Sequence, residues 1–220
     1  MKTTEILIDA TKEIWAEYNN HPFVRGIEDG SLEKEKFKYY IMQDYCYLLD
    51  YTKVFAIGIA KAKNTKIMQM FSSYVNVLAE SEMDIHKGYM GELKITQEEL
   101  DQMPVALDNL SYTSYMIREA YEGGEAEVLA ATLACAYSYE LIAKKIVENN
   151  PESVNHPFYG AWIRGYASDS YSEENRVLLE ALDELTQDYT EKQIAHLKDI
   201  FVACSRYEMG FWDMAWEMRK

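Results

Sequence analysis

On three helical seams, side chains able to do chemistry stand where the repeat calls for apolar ones. From Phe37 to Phe55, the positions Phe37, Ile41, Asp44, Leu48, Tyr51 and Phe55 step by four and three residues and share one helical face. Five of the six suit a core, and the sixth is a carboxylate. Near the C-terminus, Leu197, Phe201, Cys204, Glu208, Phe211 and Ala215 repeat that spacing and put Glu208 in an apolar slot. Between these two seams, Val128, Thr132, Cys135, Tyr139, Ile142 and Ile146 set a thiol and a phenol one turn apart. Removing an ionised carboxylate from water without a partner has a cost comparable with the whole stability of a domain. Asp44 and Glu208 therefore need hydrogen-bonding partners, from the protein or from a ligand.

Each residue type suggests its own chemistry. A carboxyl in a dry pocket has its pKa raised and becomes a proton donor near neutral pH. A thiol reacts as thiolate and needs a neighbour that lowers its pKa or takes its proton, so Cys135, with Tyr139 on the same face, is a candidate nucleophile. Cys204, one turn before Glu208, competes with it, and spacing does not choose between them. Cys46 points almost opposite the Asp44 seam. A buried cysteine is commonly an inert small hydrophobe, which is the plainer reading of each. Eighteen tyrosines, among them Tyr40, Tyr47 and Tyr51, Tyr112 and Tyr115, and Tyr159 and Tyr166 at helical spacing, offer ring faces for stacking on a flat ligand as well as core filling.

The elements that must position these groups read as helices throughout. Ten glycines and four prolines are thinly spread over 220 residues, against an all-β design. Residues 4–19 show a helical period ended by His21-Pro22, and Phe23 to Asp29 form a short piece closed by Gly30. Ser31 is read as N-cap of the long helix that carries Asp44 as far as Ala62. A helix over 66–89 follows, and Thr96 with Glu99 forms a capping box. Pro104 opens a helix through Tyr121, and Gly123-Gly124 stops it. The Cys135 helix spans about Glu125 to Glu148, with short helices at Pro157–Tyr166 and Ser172–Gln187. Thr190 with Gln193 caps the last helix, through Glu217. No repeat, linker or low-complexity tract divides the chain, so the expectation is one all-α helical domain over residues 1–220.

Composition narrows the function classes. A net charge of −15, with no cluster of Lys and Arg, argues against nucleic acid or an anionic membrane as partner and is compatible with a neutral or cationic small ligand. The N-terminus resembles no secretory signal and no apolar run reaches transmembrane length, which predicts a cytoplasmic protein. Three dispersed cysteines make no disulfide framework or zinc motif. No Walker A, G-x-G-x-x-G, H-E-x-x-H or G-x-S-x-G sequence is present. Helical bundles also host carboxylate-bridged metal pairs. Glu82 and His86 have the wrong interval for that motif, and a structural histidine is the plainer reading.

With these residues in view, the sequence resembles the TenA family, thiaminase II or aminopyrimidine aminohydrolase. The likeness runs in order along the chain through HPFVRGIEDGSL, FKYYIMQDYCYLLDY, Glu82 and His86, LACAYSYE, HPFYGAWIRGYAS and RYEMGFWDMAW. It implies a haem-oxygenase-like all-α fold, Cys135 as nucleophile over Cys204, and Glu208 as catalytic acid. It also implies that Asp44 binds the aminopyrimidine, that Tyr139 and Tyr166 contact substrate, and that Tyr47 and Tyr112 line the pocket, with Tyr47 sharpening the thiol. The cysteine places the chain in the cysteine-bearing branch. The implied activity is hydrolysis of 4-amino-5-aminomethyl-2-methylpyrimidine, and of thiamin, to hydroxymethylpyrimidine, without cofactor or metal, in a cytoplasmic homotetramer. Two other classes fit the same pocket: a non-catalytic pyrimidine-binding or regulatory protein, and a metal or haem oxidase using Glu82 and His86.

Overall fold

The computed structural model describes residues 1–79 and 83–219, without the side chains of residues 83–87. Glu82 and the imidazole of His86 thus lie outside the described residues. Among those described there are eleven α-helices and no strand: α1 Thr3–Tyr18, α2 Pro22–Asp29, α3 Lys34–Lys61, α4 Thr65–Val77, α5 Met83–Glu92, α6 Gln97–Gln102, α7 Leu107–Glu122, α8 Glu125–Asn149, α9 Gly160–Tyr166, α10 Asp169–Leu185 and α11 Glu191–Glu217. A 3-10 turn, Pro151–Asn155, joins α8 to α9.

α8 is the spine of the bundle and packs against α3, α7, α9, α10 and α11. Small side chains let its neighbours approach: Ala126, Ala130, Ala131, Ala134 and Ala143 are all buried. By length and composition α8 could cross a membrane, which the sequence reading had not found. Yet 78% of its most apolar window is buried inside the protein, as in the central helix of a globule.

The caps explain most boundaries. Asn64 Oδ1 accepts from the Ile67 amide at 3.0 Å and starts α4. Thr96 and Glu99 exchange bonds at 3.2 and 2.8 Å, and Thr190 and Gln193 do so at 3.4 and 2.9 Å. Gly30, at φ 78°, takes the left-handed conformation that ends α2.

Three boundaries differ from the sequence expectation. Ser31 does not cap α3, because its amide bonds Asp29 Oδ1 at 2.9 Å and Leu32 N reaches back to Gly26 O; the N-cap is Glu33. Pro104 does not open α7. Its carbonyl accepts from Gln43 Nε2 at 3.0 Å while the Ala106 amide donates to Gln43 Oε1 at 3.1 Å, and this clasp holds residues 104–106 outside the helix. Of the helix expected over 66–89, the described residues form α4, a π turn at 78–79 and α5, which runs on to Glu92.

Where α3 crosses α4 and α8 the fit is tight around a glycine. A Cβ on Gly58 would lie 3.0 Å from Phe71 Cδ2 and 3.2 Å from Val128 Cγ1. Gly58→Ala gains up to about 1 kcal/mol of helix propensity against an overpacking cost of about 1–3 kcal/mol. A net loss is expected, lowering Tm by about 2–4 °C per kcal/mol. Gly88, helical and with nothing within 4 Å of its would-be Cβ, is the control. Gly88→Ala should raise Tm in the same calorimetric comparison.

Candidate active site

The three chemical seams face one another. Asp44 on α3 is 5% exposed and Glu208 on α11 is 2% exposed. Cys135, the thiol on α8, is half-buried. A narrow cavity of about 380 Å³ opens beside Asp44 and Cys135, in front of Glu208. Asp44, Tyr47, Cys135, Tyr139 and Tyr166 line it, together with Leu48, Tyr51 and Ala136. Tyr74 and Leu78 close it from the end of α4, and Tyr171 from the start of α10. Of the cysteines, Cys135 alone reaches this wall. Cys204 is fully buried behind it, where burial and the neighbouring Glu208 push its thiol well up. Cys46 is half-buried elsewhere and is raised by burial and by Asp50.

Glu208 and Tyr112 stand one layer deeper than the cavity wall. Burial, and then the charge of Asp44, push the Glu208 carboxyl up to about 8, while Tyr112, Cys135 and Tyr139 close by hold it down from a higher value. Among the described residues, its Oε2 and the Tyr112 hydroxyl have no geometrically complete hydrogen bond. Near neutral pH this carboxyl is therefore mostly protonated. α1 fixes its height: Trp15 Nε1 donates to Ser205 Oγ at 3.2 Å, and the Tyr18 hydroxyl donates to the Ser205 carbonyl, one turn before Glu208.

The aromatic walls are tied to the backbone rather than left loose. Tyr51 donates to the Thr132 carbonyl at 3.0 Å, which locks α3 to α8 one turn before Cys135. Tyr40 donates to the Tyr139 hydroxyl at 3.3 Å and accepts from Trp162 Nε1 at 3.2 Å. Tyr47 stacks on Tyr51 with centroids 5.4 Å apart and tilts against Tyr112 at 5.2 Å. Tyr112 in turn stacks on Tyr207 at 5.5 Å. Tyr166 lies 4.9 Å from Tyr139 and 5.1 Å from Tyr171. Burial pushes the phenols of Tyr47, Tyr112 and Tyr139 well above their ordinary range, so they act as neutral donors and flat apolar faces.

On the far side of α8, Glu140 bonds Lys144 at 2.6 Å and Asn175 at 2.8 Å, while Asn175 also reaches the Ala136 carbonyl at 3.2 Å. This clasp holds α10, and so Tyr171, against the helix that carries the thiol.

Sequence reasoning did not single out Tyr74 and Tyr171; it took Leu48 as core and read Tyr51 both as core and as a ring face. One tyrosine per helix, at spacing any core residue could share, carries no signal of its own; the tyrosine count was the one available hint. Among the described residues, no three His, Cys, Asp or Glu side chains converge as metal ligands.

The chain is 42% identical over 217 residues to the aminopyrimidine aminohydrolase of Helicobacter pylori, covering 99% of this chain and all of that one. It superposes on the TenA homologue protein of P. horikoshii OT3 with a TM-score of 0.88 at 29% identity, over 99% of each chain. The haem oxygenase-1 of the cyanobacterium Synechocystis, at 16% identity over 97% of this chain and 91% of its own, superposes with a TM-score of 0.67, so the fold is the haem-oxygenase-like one. Residues 8–218 match the model of the TENA/THI-4/PQQC family along nearly the whole chain, and the protein belongs to that family.

Proposed function

We propose that this protein is an aminopyrimidine hydrolase of thiamin salvage, working through a covalent bond to Cys135 and converting 4-amino-5-aminomethyl-2-methylpyrimidine to the hydroxymethyl compound and ammonia. Thiamin, with its thiazole as leaving group, is the second substrate. The observation that carries the reading is the juxtaposition of a wall-lining thiol, Cys135, with the deeper protonated acid, Glu208, in a narrow aromatic cavity. The aminopyrimidine aminohydrolase of Helicobacter pylori supports the substrate class. The reading takes residues 1–220 as one unit, cytoplasmic and homotetrameric.

An aminopyrimidine ring is electron-poor and flat. Between the faces of Tyr47, Tyr139 and Tyr166 it exchanges water for ring contacts, and Asp44 holds its amino edge. The sulfur of Cys135, entering as the thiolate after its proton has passed to solvent, forms a bond to a ring carbon as Glu208 gives its proton to a ring nitrogen, which breaks the aromaticity. The bond from the exocyclic methylene to the amine or thiazole then breaks, and the leaving group takes the electron pair. Water bonds to the methylene and returns a proton to the Glu208 carboxylate. Loss of the ring-nitrogen proton, taken up by the departed amine or by solvent, restores aromaticity and expels the sulfur with its electron pair. One C–N bond is exchanged for one C–O bond, with no change of oxidation state and no cofactor.

Cys135→Ser keeps the fold and should lower kcat by about 10³-fold or more, while hydroxymethylpyrimidine still binds by calorimetry; near-normal turnover would reject the covalent route. Glu208→Gln should cost about 10²–10⁴-fold in kcat with a much smaller change in KM. Because the acid must start protonated, kcat/KM should fall about tenfold per pH unit above about 8, and that limb should vanish in the glutamine variant.

The same group gives a stability signature. The folded chain holds the Glu208 proton up to about 8, whereas an ordinary glutamate loses it near 4.5. Between those values the unfolded chain binds fewer protons, so stability falls as pH rises and levels off above about 8. In thermal melts, the Tm of Glu208→Gln minus that of the unsubstituted protein should therefore grow across this window and then flatten.

A further inference from the structure

The catalytic cavity is too narrow for two rings, and the structure offers a place for the second. Outside it lies a wider groove between α4 and α10, of about 1120 Å³ against about 380 Å³ for the cavity. Its floor and walls are largely apolar, from Met70, Tyr74 and Val77 on α4 and Val177 and Ala181 on α10. The Lys66–Glu184 ion pair marks one end. At the other end the groove runs into the cavity, because Tyr74 lines both and the same two helices supply Leu78 and Tyr171 to the cavity wall.

The charge of the groove selects among possible occupants. Glu173, Glu174, Glu180 and Glu184 face it, with Lys66. Arg176 alongside pairs with Glu173 and Glu180, each at 2.5 Å. Two negative charges remain uncompensated on an apolar trough. That combination suits a flat organic cation and disfavours an anion.

We infer that the α4–α10 groove is the vestibule of the cavity and seats the cationic leaving portion of a two-ring substrate, the thiazolium of thiamin, while the pyrimidine ring occupies the cavity. The inference rests on the proposed pyrimidine chemistry and adds to it where the leaving group sits and leaves. Tyr74, at the junction, lies between the two rings and governs how far the substrate can reach across.

Binding to the Cys135→Ser protein, which does not consume its ligand, tests this. Thiamin and hydroxymethylpyrimidine are titrated calorimetrically with and without Val177→Trp, which fills the groove from a position 40% exposed and outside the catalytic cavity. The expected result is a loss of about tenfold or more in thiamin affinity, with hydroxymethylpyrimidine unchanged within about twofold. Ser73→Trp, on the opposite wall, should do the same and serves if the first variant fails to fold. Replacing Glu174 and Glu180 together by Gln should weaken thiamin by about threefold to tenfold at low salt, leaving the neutral pyrimidine alcohol unaffected.

Equal losses for both ligands, or no loss for thiamin, would overturn the vestibule. So would failure of thiamin to bind where the alcohol binds. A change of oligomeric state on size-exclusion chromatography of Val177→Trp would assign the groove to a second copy of the chain instead, and overturns the proposal too. If neither ligand binds the Cys135→Ser protein, the pyrimidine reading itself fails, a result distinct from these.

Discussion

A carboxyl group buried with no cation among the groups that shift it sets the terms for this fold. Glu208 is 2% exposed, and its neighbours are phenols, a thiol and the carboxylate of Asp44. Such a group resolves the conflict between burial and charge by keeping its proton. The like charge of Asp44 drives it the same way. Two carboxyls placed so that one holds a proton and the other borders the ligand space are divided by environment into different roles, an arrangement that acid–base sites use repeatedly. The rest of the bundle keeps that division. α1 clamps α11 at Ser205, and α8 brings the thiol to the cavity wall beside Asp44.

The tyrosines make the arrangement rigid without adding charge. A phenol whose hydroxyl is spent on a backbone carbonyl or a partner phenol has its ring plane fixed, and the face remains free for stacking. Tyr51 spends its donor on Thr132, and Tyr40 spends its own on Tyr139 while accepting from Trp162. These bonds satisfy groups that would otherwise be costly indoors. They also set the spacing of the cavity walls before any ligand arrives, so the order of the aromatic cage does not have to be created on binding. Tyr112 is the contrast: it stands behind the wall beside Glu208, its ring held between those of Tyr47 and Tyr207.

How much of this the sequence disclosed follows from the range of the forces involved. The three polar slots were legible because a helical repeat is local, and one carboxylate in a row of apolar residues breaks it visibly. The capping boxes at Thr96 and Thr190 were legible for the same reason. Pro104 and Ser31 misled because distant or neighbouring partners took over: Gln43, more than sixty residues away, claims the backbone around Pro104, and Asp29 claims the Ser31 amide. Local propensity has no knowledge of either. Tyr74 and Tyr171 were invisible because a tyrosine that faces a cavity and one that fills a core obey the same periodicity; the difference exists only once α4 and α10 are placed beside α8. The choice between Cys135 and Cys204 was open from spacing alone, and it is geometry that puts one at the wall and the other behind it.

The narrowness of the cavity bears on its chemistry. In the proposed reaction a single water must add to the exocyclic methylene, and any others would compete for the reactive ring or hydrate the acid and lower its pKa. A cavity that fits closely around a ring excludes those others, and it strengthens every interaction within it. Water for the hydrolysis then arrives where the leaving group has just departed. The wide acidic groove beyond Tyr74 supplies the contrast this requires: solvent on one side, a nearly dry cage on the other, and one aromatic side chain at the boundary. A reaction that must first be dry, to keep Glu208 protonated, and then admit one water is served by a site whose leaving group is also its plug.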